Sequence, residues 1–169
     1  MMRFTRYLAW ALIGVSANAM GDFLEHQKLF WIERSKNANI IQYDARILPN
    51  GRLSPRNTVV AYWVRLAEQG QIEELSWMQE VFAFGFEELY DPDTDSASLE
   101  MVVDFGRDLT VLRVGDAYRV KTTINGMPAY LEKIFIEAHK RGFLITVEYI
   151  DVYGVDARTG EPLLERFTP

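Results

Sequence analysis

Charged, amide and phenol side chains crowd one short segment of the chain, residues 33–46. They are Glu33, Arg34, Lys36, Asn37, Asn39, Tyr43, Asp44 and Arg46. An arginine guanidinium binds a carboxylate or a phosphate through two parallel hydrogen bonds, and a neighbouring amide can orient the bound group. The segment therefore predicts a polar ligand-binding mouth formed by Arg34, Asn37, Asn39 and Tyr43.

The same residue types also have a purely structural interpretation. Asn and Ser bond locally to backbone and tolerate the conformations of a tight turn, which accounts for Ser35, Asn37 and Asn39 without any ligand. In that interpretation Arg34 forms an internal ion pair with a nearby carboxylate. We favour the structural interpretation, and ligand binding by this segment is kept as the alternative.

Tyr62 and Trp63 are the next candidate binding residues. Adjacent residues on a strand point to opposite faces, so one ring can lie in the core while the other stacks on a ligand. The same rule predicts that Tyr43 and Asp44 face opposite sides of their strand. Core packing of both aromatic rings is the default for side chains of this size.

Templates for enzymes and metal sites mostly fail. The chain has only two histidines, His26 and His139, and it lacks the motifs of zinc hydrolases, serine hydrolases and phosphate-binding loops. The segment Asp91-Pro92-Asp93-Thr94-Asp95 resembles the start of a calcium loop, but Ser96 stands in place of the turn glycine and Val102 in place of the last glutamate. We predict a solvated acidic turn there, and no catalytic residue, metal or cofactor.

Alternating and aromatic-rich segments predict a chain made mainly of strands. The predicted strands are 28–34, 38–47, 58–66, 83–90, 98–104, 109–114, 117–124, 129–137, 143–153 and 163–167. Gly115-Asp116 and Asn125-Gly126 are two-residue connections typical of hairpins. The strand after Asp116 alternates, with Tyr118, Val120, Thr122 and Ile124 on one face.

One amphipathic helix is predicted over residues 71–82, where Ile72, Leu75, Met78 and Phe82 recur at helical spacing and would pack on the core. The fold class is therefore mainly β. We predict an antiparallel meander of about eight to ten strands that forms a barrel or a sandwich, with this helix inserted after the third strand. The pattern does not decide whether the barrel interior is filled or hollow.

The first 19 residues have the layout of a secretory signal peptide, with Arg3 and Arg6, an apolar run from Tyr7 to Val15, and small residues up to Ala19. We predict cleavage after Ala19, a lead-in at 20–27 and a single β-rich domain at 28–169 in the periplasm or outside the cell. The alternative is an uncleaved anchor, but the run is shorter than the roughly 20 apolar residues that a spanning helix needs.

Composition limits the partners of the exported chain. There is no cysteine, so stability must come from the core without disulfides. Loss of Arg3 and Arg6 would change the formal net charge from -6 to -8, because the leader contains no acidic residue. An acidic protein is repelled by phosphate backbones and anionic lipid surfaces, so we expect no nucleic-acid partner. We expect no membrane span after cleavage, because no other segment is long and apolar enough to cross a bilayer.

Several stretches carry a family resemblance. These are LFWIERSKNANIIQYDAR, Gly51, AYWVRLAEQG, EELSWMQEVFAFGF, INGMPAYLEKIFIE, VEYIDVYGVDARTG and LLERFTP. Over roughly 28–169 the chain resembles a family of small exported bacterial proteins catalogued as domain of unknown function 4833. The resemblance implies one domain and export, and it assigns no activity.

Three functional hypotheses follow. The first is a periplasmic β-barrel that binds a small ligand through Arg34, Asn37, Asn39, Tyr43, Tyr62 and Trp63. The second is a cell-envelope interaction or structural protein without a ligand cavity, which would use an exposed sheet edge near residues 34–39 to bind an envelope protein. The third is an enzyme that uses carboxylates such as Glu33 and Asp44.

Overall fold

The computed structural model of the protein describes residues 25–35, 37–103, 105–141 and 144–169. The predicted signal peptide and most of the predicted lead-in lie outside the described residues. The first strand begins at Glu25, earlier than the aromatic content of 28–34 predicts, so the end of the lead-in belongs to the sheet.

The described part of the chain contains eleven strands, and Val, Ile, Phe, Tyr, Trp and Thr are frequent in them because these side chains suit a pleated, half-buried surface. The strands are β1 (Glu25–Arg34), β2 (Asn37–Ile47), β3 (Val59–Arg65), β4 (Gln71–Glu74), β5 (Phe86–Asp91), β6 (Ser96–Met101), β7 (Leu109–Val114), β8 (Ala117–Ile124), β9 (Met127–Arg141), β10 (Leu144–Asp156) and β11 (Pro162–Phe167).

All eleven strands belong to one sheet, in the order β4-β3-β2-β1-β9-β8-β7-β6-β5, with β10 on β9 and β11 on β10. The mainly β class is confirmed. The prediction of an antiparallel meander is wrong in one respect, because β1 pairs with β9 in parallel and the sheet is therefore mixed. The sheet curls into a half-barrel and does not form a closed barrel. Sequence patterns report neighbours along the chain, and this parallel pair joins segments about 100 residues apart.

The long strand β9 determines the shape of the sheet. Strand β10 pairs with one edge of β9 along residues 129–141. Two strands share the opposite edge of β9, since β8 pairs with residues 127–131 and β1 pairs with residues 133–136. Two groups of strands therefore leave the same edge of β9. We call β1–β4 the first wing and β5–β8 the second wing.

Gln27 joins the two wings where they separate at β9. Its amide nitrogen donates to the carbonyl of Tyr118 at 2.7 Å, and its amide oxygen accepts from the N–H of Tyr118 at 2.9 Å. The side-chain amide thus imitates a backbone partner and satisfies polar groups that the split would leave unpaired.

The inner faces of both wings form one apolar core. Its members include Phe30, Ile32, Ile41, Tyr43, Trp63, Leu99, Val111, Tyr118, Val120, Ile124, Leu131, Ile134, Ile150 and Val152. The predicted alternation of β8 is confirmed, since Tyr118, Val120, Thr122 and Ile124 are buried.

The helix prediction is partly wrong. The helical segment follows β4 and not the third strand, and it is short: an α-helical turn, α1 (Trp77–Gln79), continues as a π-helical turn at Glu80–Phe84. Residues 71–74 are strand β4, in which Ile72 is 64% exposed. Leu75 is buried as predicted, but Met78 is 63% exposed. In the described residues, no helix combines the length and apolar character needed to cross a bilayer.

Candidate functional site

The two wings approach each other again on the side away from β9, where β3 faces β5. In the described residues no backbone pairing joins these two strands. Glu88 of β5 bridges the gap, because its carboxylate accepts from the N–H of Thr58 at 2.7 Å and from the N–H of Val59 at 2.9 Å. We call this junction between β3 and β5 the seam.

The helical segment closes the other end of the seam. The buried hydroxyl of Tyr43 donates to the carbonyl of Phe84 at 2.7 Å, and the rings of Phe84 and Trp63 form a T-shaped contact with centroids 5.7 Å apart. Gln79 accepts from the indole N–H of Trp63 at 3.2 Å and from the N–H of Ser76 at 2.8 Å, which ties the start of α1 to β3. Individual side chains thus hold both ends of the seam.

Between these two ends lies an open cleft of about 530 Å³, which we call the seam cleft. Its lining residues are Arg46, Asn57, Val59, Val60, Ala61, Leu75, Glu80, Val81, Gly85, Phe86, Glu87, Glu88 and Val102. Most of these are apolar, and the volume falls in the usual range for small-molecule sites. The seam cleft is therefore the candidate functional site.

The charged groups of the seam cleft differ in their availability. Both Glu88 oxygens already accept backbone hydrogen bonds, while Glu80 and Glu87 are exposed. The Nε of Arg46 is buried and has no hydrogen-bond partner among the described residues. A buried donor without an acceptor costs free energy.

Arg34, the leading predicted ligand residue, lies inside the half-barrel. Its guanidinium carbon is 5.3 Å from the centroid of Trp63 and 5.1 Å from that of Phe84, which is cation–π contact with both rings. Burial lowers the pKa of Arg34, and its Nε has no partner among the described residues. The alternative of an internal ion pair is not observed, because no described carboxylate forms a salt bridge with Arg34.

The other predicted residues of the hairpin have different surroundings. Tyr43 is fully buried, stacks on Phe30 with ring centroids 4.4 Å apart, and burial raises its pKa. Asn39 is half-buried, and Asn37 pairs with Arg34 in the ladder. Arg34 pairs with both β2 and β9, so it does not lie on a free sheet edge, whereas the ladder between β2 and β3 begins at Ile40. An interaction edge at 37–39 therefore stays a prediction.

Tyr62 and Trp63 point to opposite faces, as predicted. Trp63 lies in the core, and Tyr62 lies on the outer face, where its hydroxyl donates to Asp44 at 2.6 Å. Burial and this hydrogen bond raise the pKa of Tyr62. Arg34, Tyr43 and Trp63 therefore converge on Phe84 while Tyr62 does not, and ligand binding by any of the four stays a prediction.

The carboxylate pair proposed for catalysis is not brought together. Glu33 accepts from Lys133 at 3.2 Å and from the indole N–H of Trp31 at 2.8 Å, whereas Asp44 pairs in register with Lys28. The strand register therefore separates the two carboxylates.

The acidic turn is exposed at 91–94, as predicted, but Asp95 is partly buried. Asp95 accepts hydrogen bonds from the hydroxyl of Tyr118 at 2.6 Å, the hydroxyl of Tyr90 at 3.0 Å and the N–H of Leu53 at 3.2 Å. Burial acts to raise the pKa of Asp95, but these bonds and the nearby Arg52 outweigh it and lower the pKa. Asp95 thus joins three parts of the fold.

The lining of the seam cleft was missed by sequence reasoning. The segment FEELYD alternates, and this pattern does place Phe86, Glu88 and Tyr90 on one face of β5. No local pattern indicates that this face meets β3, because the contact depends on how the two wings curl.

Comparison with known proteins gives one match. The family described as "Domain of unknown function (DUF4833)" matches residues 30–166, which is most of the chain. No curated protein and no solved structure matches the chain.

Proposed function

We propose that this chain, which belongs to the DUF4833 family, is an exported binding protein that holds a small ligand in the seam cleft. The observation that carries the proposal is an open, mostly apolar cleft of about 530 Å³ that has Arg46 in its lining. Export is supported by the leader-like residues 1–19.

The lining indicates the class of ligand. Val59, Ala61, Leu75 and Phe86 offer an apolar wall for an apolar body. Arg46 offers a donor for a carboxylate or another acceptor on that body. The ligand class is therefore a small amphiphile with an apolar body and an acidic or hydrogen-bond-accepting head.

A fluorescent apolar anion, 1-anilinonaphthalene-8-sulfonate, tests the site. We expect saturable one-to-one binding by the purified exported protein, and about tenfold weaker binding by Ala61→Trp, whose indole would fill the cleft. Ala67→Trp is the matched control, because Ala67 is exposed and outside the lining. Equal binding by both variants would contradict the proposal.

The role of Arg46 is tested with two probes. Arg46→Met is expected to weaken binding of the anionic probe while leaving binding of a neutral apolar dye nearly unchanged. Arg119→Met, at an exposed position on β8, is the control. If Arg46→Met bound neither probe, the substitution would have disrupted the whole cleft, and the assignment of Arg46 as the head-group contact would be withdrawn.

A second candidate function is binding of a protein partner, and one observation favours it. Five large apolar side chains on the helical segment and after β6 are exposed, and two of them line the cleft. They are Trp77, Met78, Val81, Val102 and Val103, of which Val81 and Val102 belong to the lining. Exposed apolar groups of this kind mark interaction surfaces. For this function we expect the native chain to capture one envelope protein reproducibly. A double variant with Trp77→Ser and Met78→Ser is expected not to capture that protein.

A further inference from the structure

Three potential metal ligands lie close together near the C-terminal end of β9 and the N-terminal part of β10. They are Glu137 and His139 of β9 and Glu148 of β10. Strand β9 is three strands away from β3, and so from the seam, in the sheet order. The Nε2 of His139 is 3.1 Å from an oxygen of Glu148 and 3.6 Å from an oxygen of Glu137, and the three ligand atoms all lie within 4.8 Å of one another.

We propose that Glu137, His139 and Glu148 bind one divalent transition-metal ion of the Zn²⁺ class. Imidazole nitrogen and carboxylate oxygen are both ordinary zinc ligands. Donor atoms at about 2.1 Å around a tetrahedral ion lie about 3.4 Å apart. The two distances at His139 bracket that separation, so an ion fits between the donors with small side-chain rotations.

Strand geometry explains why these three residues meet. Glu137 and His139 are two residues apart on β9 and share a face. On β10, Thr146 pairs with His139 and Tyr149 pairs with Glu137, while a bulge leaves Glu148 outside the register. Glu148 thus has no ladder position to keep and reaches His139 across the hairpin. Bulges often direct a side chain towards a site in this way.

The electrostatics of the cluster also favour a cation. Two carboxylates that approach one imidazole repel each other, and a bound divalent ion removes that repulsion. Glu148 is exposed, with half of its side chain open to solvent, so ions have access. Three protein ligands leave a fourth position for water.

The experiment uses Co²⁺ and Zn²⁺ alone as probes, with the purified protein. The chain has no cysteine and only two histidines, so His26→Ala is a matched control for His139→Ala. We expect one Co²⁺ per chain, displaced by Zn²⁺, with binding about tenfold or more weaker in His139→Ala and unchanged in His26→Ala.

Glu148→Gln keeps the test independent of folding, because Glu148 is exposed and outside the ladder. It is expected to weaken Co²⁺ binding about tenfold while leaving the unfolding curve of the metal-free protein unchanged. Absence of stoichiometric binding by the native protein, or equal affinity in Glu148→Gln and the native protein, would overturn the assignment.

Discussion

The two sides of the half-barrel are closed by different means. On the β9 side, β10 follows β9 along nearly its whole length, and β11 continues the ladder on β10. On the seam side, β3 and β5 have no shared backbone ladder in the described residues, and the carboxylate of Glu88 and the Phe84 region bridge the gap.

This difference has a physical consequence. A long ladder distributes its stability over many hydrogen bonds, so no single side chain controls it. The seam depends on a few side chains, so changing one of them can open it. Regions with few backbone hydrogen bonds are the ones that open locally at low cost in free energy. The seam is also where the candidate binding site lies.

The largest expected effect is on the closed side, in Gly154→Ala. A Cβ on Gly154 would lie 2.3 Å from the carbonyl oxygen of Tyr130 and 2.8 Å from the Cδ1 of Ile124. Because the nearest atom is backbone of the paired strand β9, the ladder must shift. We expect a loss of about 3 kcal/mol in the free energy of unfolding, measured with urea.

Gly85→Ala is the matched change at the seam. Its Cβ would lie 2.0 Å from the carbonyl oxygen of Glu80, within the last helical turn. That turn can unwind without breaking the sheet, so the free energy of unfolding should fall by less than half as much. An equal loss in both variants would contradict the view that the seam is the weaker side.

Glu88→Ala tests the bridge directly. It leaves the N–H groups of Thr58 and Val59 without their acceptor, and hydrogen bonds to a charged group contribute about 1.5 to 3 kcal/mol each. Water can partly replace the lost acceptor at an open seam, so we expect the free energy of unfolding, measured with urea, to fall by about 2 kcal/mol. Hydrogen exchange at those two amides should also become faster.

Glu87→Ala is the control for Glu88→Ala, because Glu87 is the adjacent residue and is exposed. It should leave both the unfolding curve and the exchange rates nearly unchanged. Unchanged exchange at Thr58 and Val59 in Glu88→Ala would show that the bridge does not hold the seam.

A smaller effect is expected at acid pH on the closed side. Hydrogen bonds from Arg166 at 2.6 and 2.7 Å hold the pKa of Asp151 below its ordinary value. Because the folded pKa is lowered, the stabilisation is complete above the unfolded pKa of about 3.9 and is lost as the pH falls through the folded pKa.

The measurement is a series of urea unfolding curves from neutral pH to below about pH 3. Asp151→Asn should lose less stability than the native protein over the acid part of the series, because it has no carboxylate to protonate. Identical slopes for the two proteins would show that the Asp151–Arg166 pair contributes nothing to acid unfolding.

The sequence predicts local structure well and assembly poorly. The hairpins at Gly115-Asp116 and Asn125-Gly126 are confirmed, and Asn125 and Gly126 both have the positive φ that such a turn requires. These features depend on neighbouring residues. The parallel β1–β9 pair, the shared edge of β9 and the seam join distant segments, and periodicity does not encode which segments meet.

The candidate site was only partly accessible for the same reason. Arg34, Tyr43 and Trp63 were singled out by residue type, and the structure brings them together on Phe84. Its residue type marks Arg46 as polar but does not place it in a cleft. The sequence does not mark His139 as a ligand, because Glu148 becomes its neighbour only through the bulge in β10.

The smallest expected effect is that of Met78→Ser. The helical spacing of Leu75 and Met78 predicts that both residues pack on the core. Leu75 is buried beside the seam, whereas Met78 is 63% exposed. Leu75→Ala should therefore cost about 2 kcal/mol in urea unfolding, while Met78→Ser should change the free energy by less than about 0.5 kcal/mol. A comparable loss in both variants would mean that Met78 packs on the core after all, and that the segment between β4 and β5 is a longer helix covering the seam.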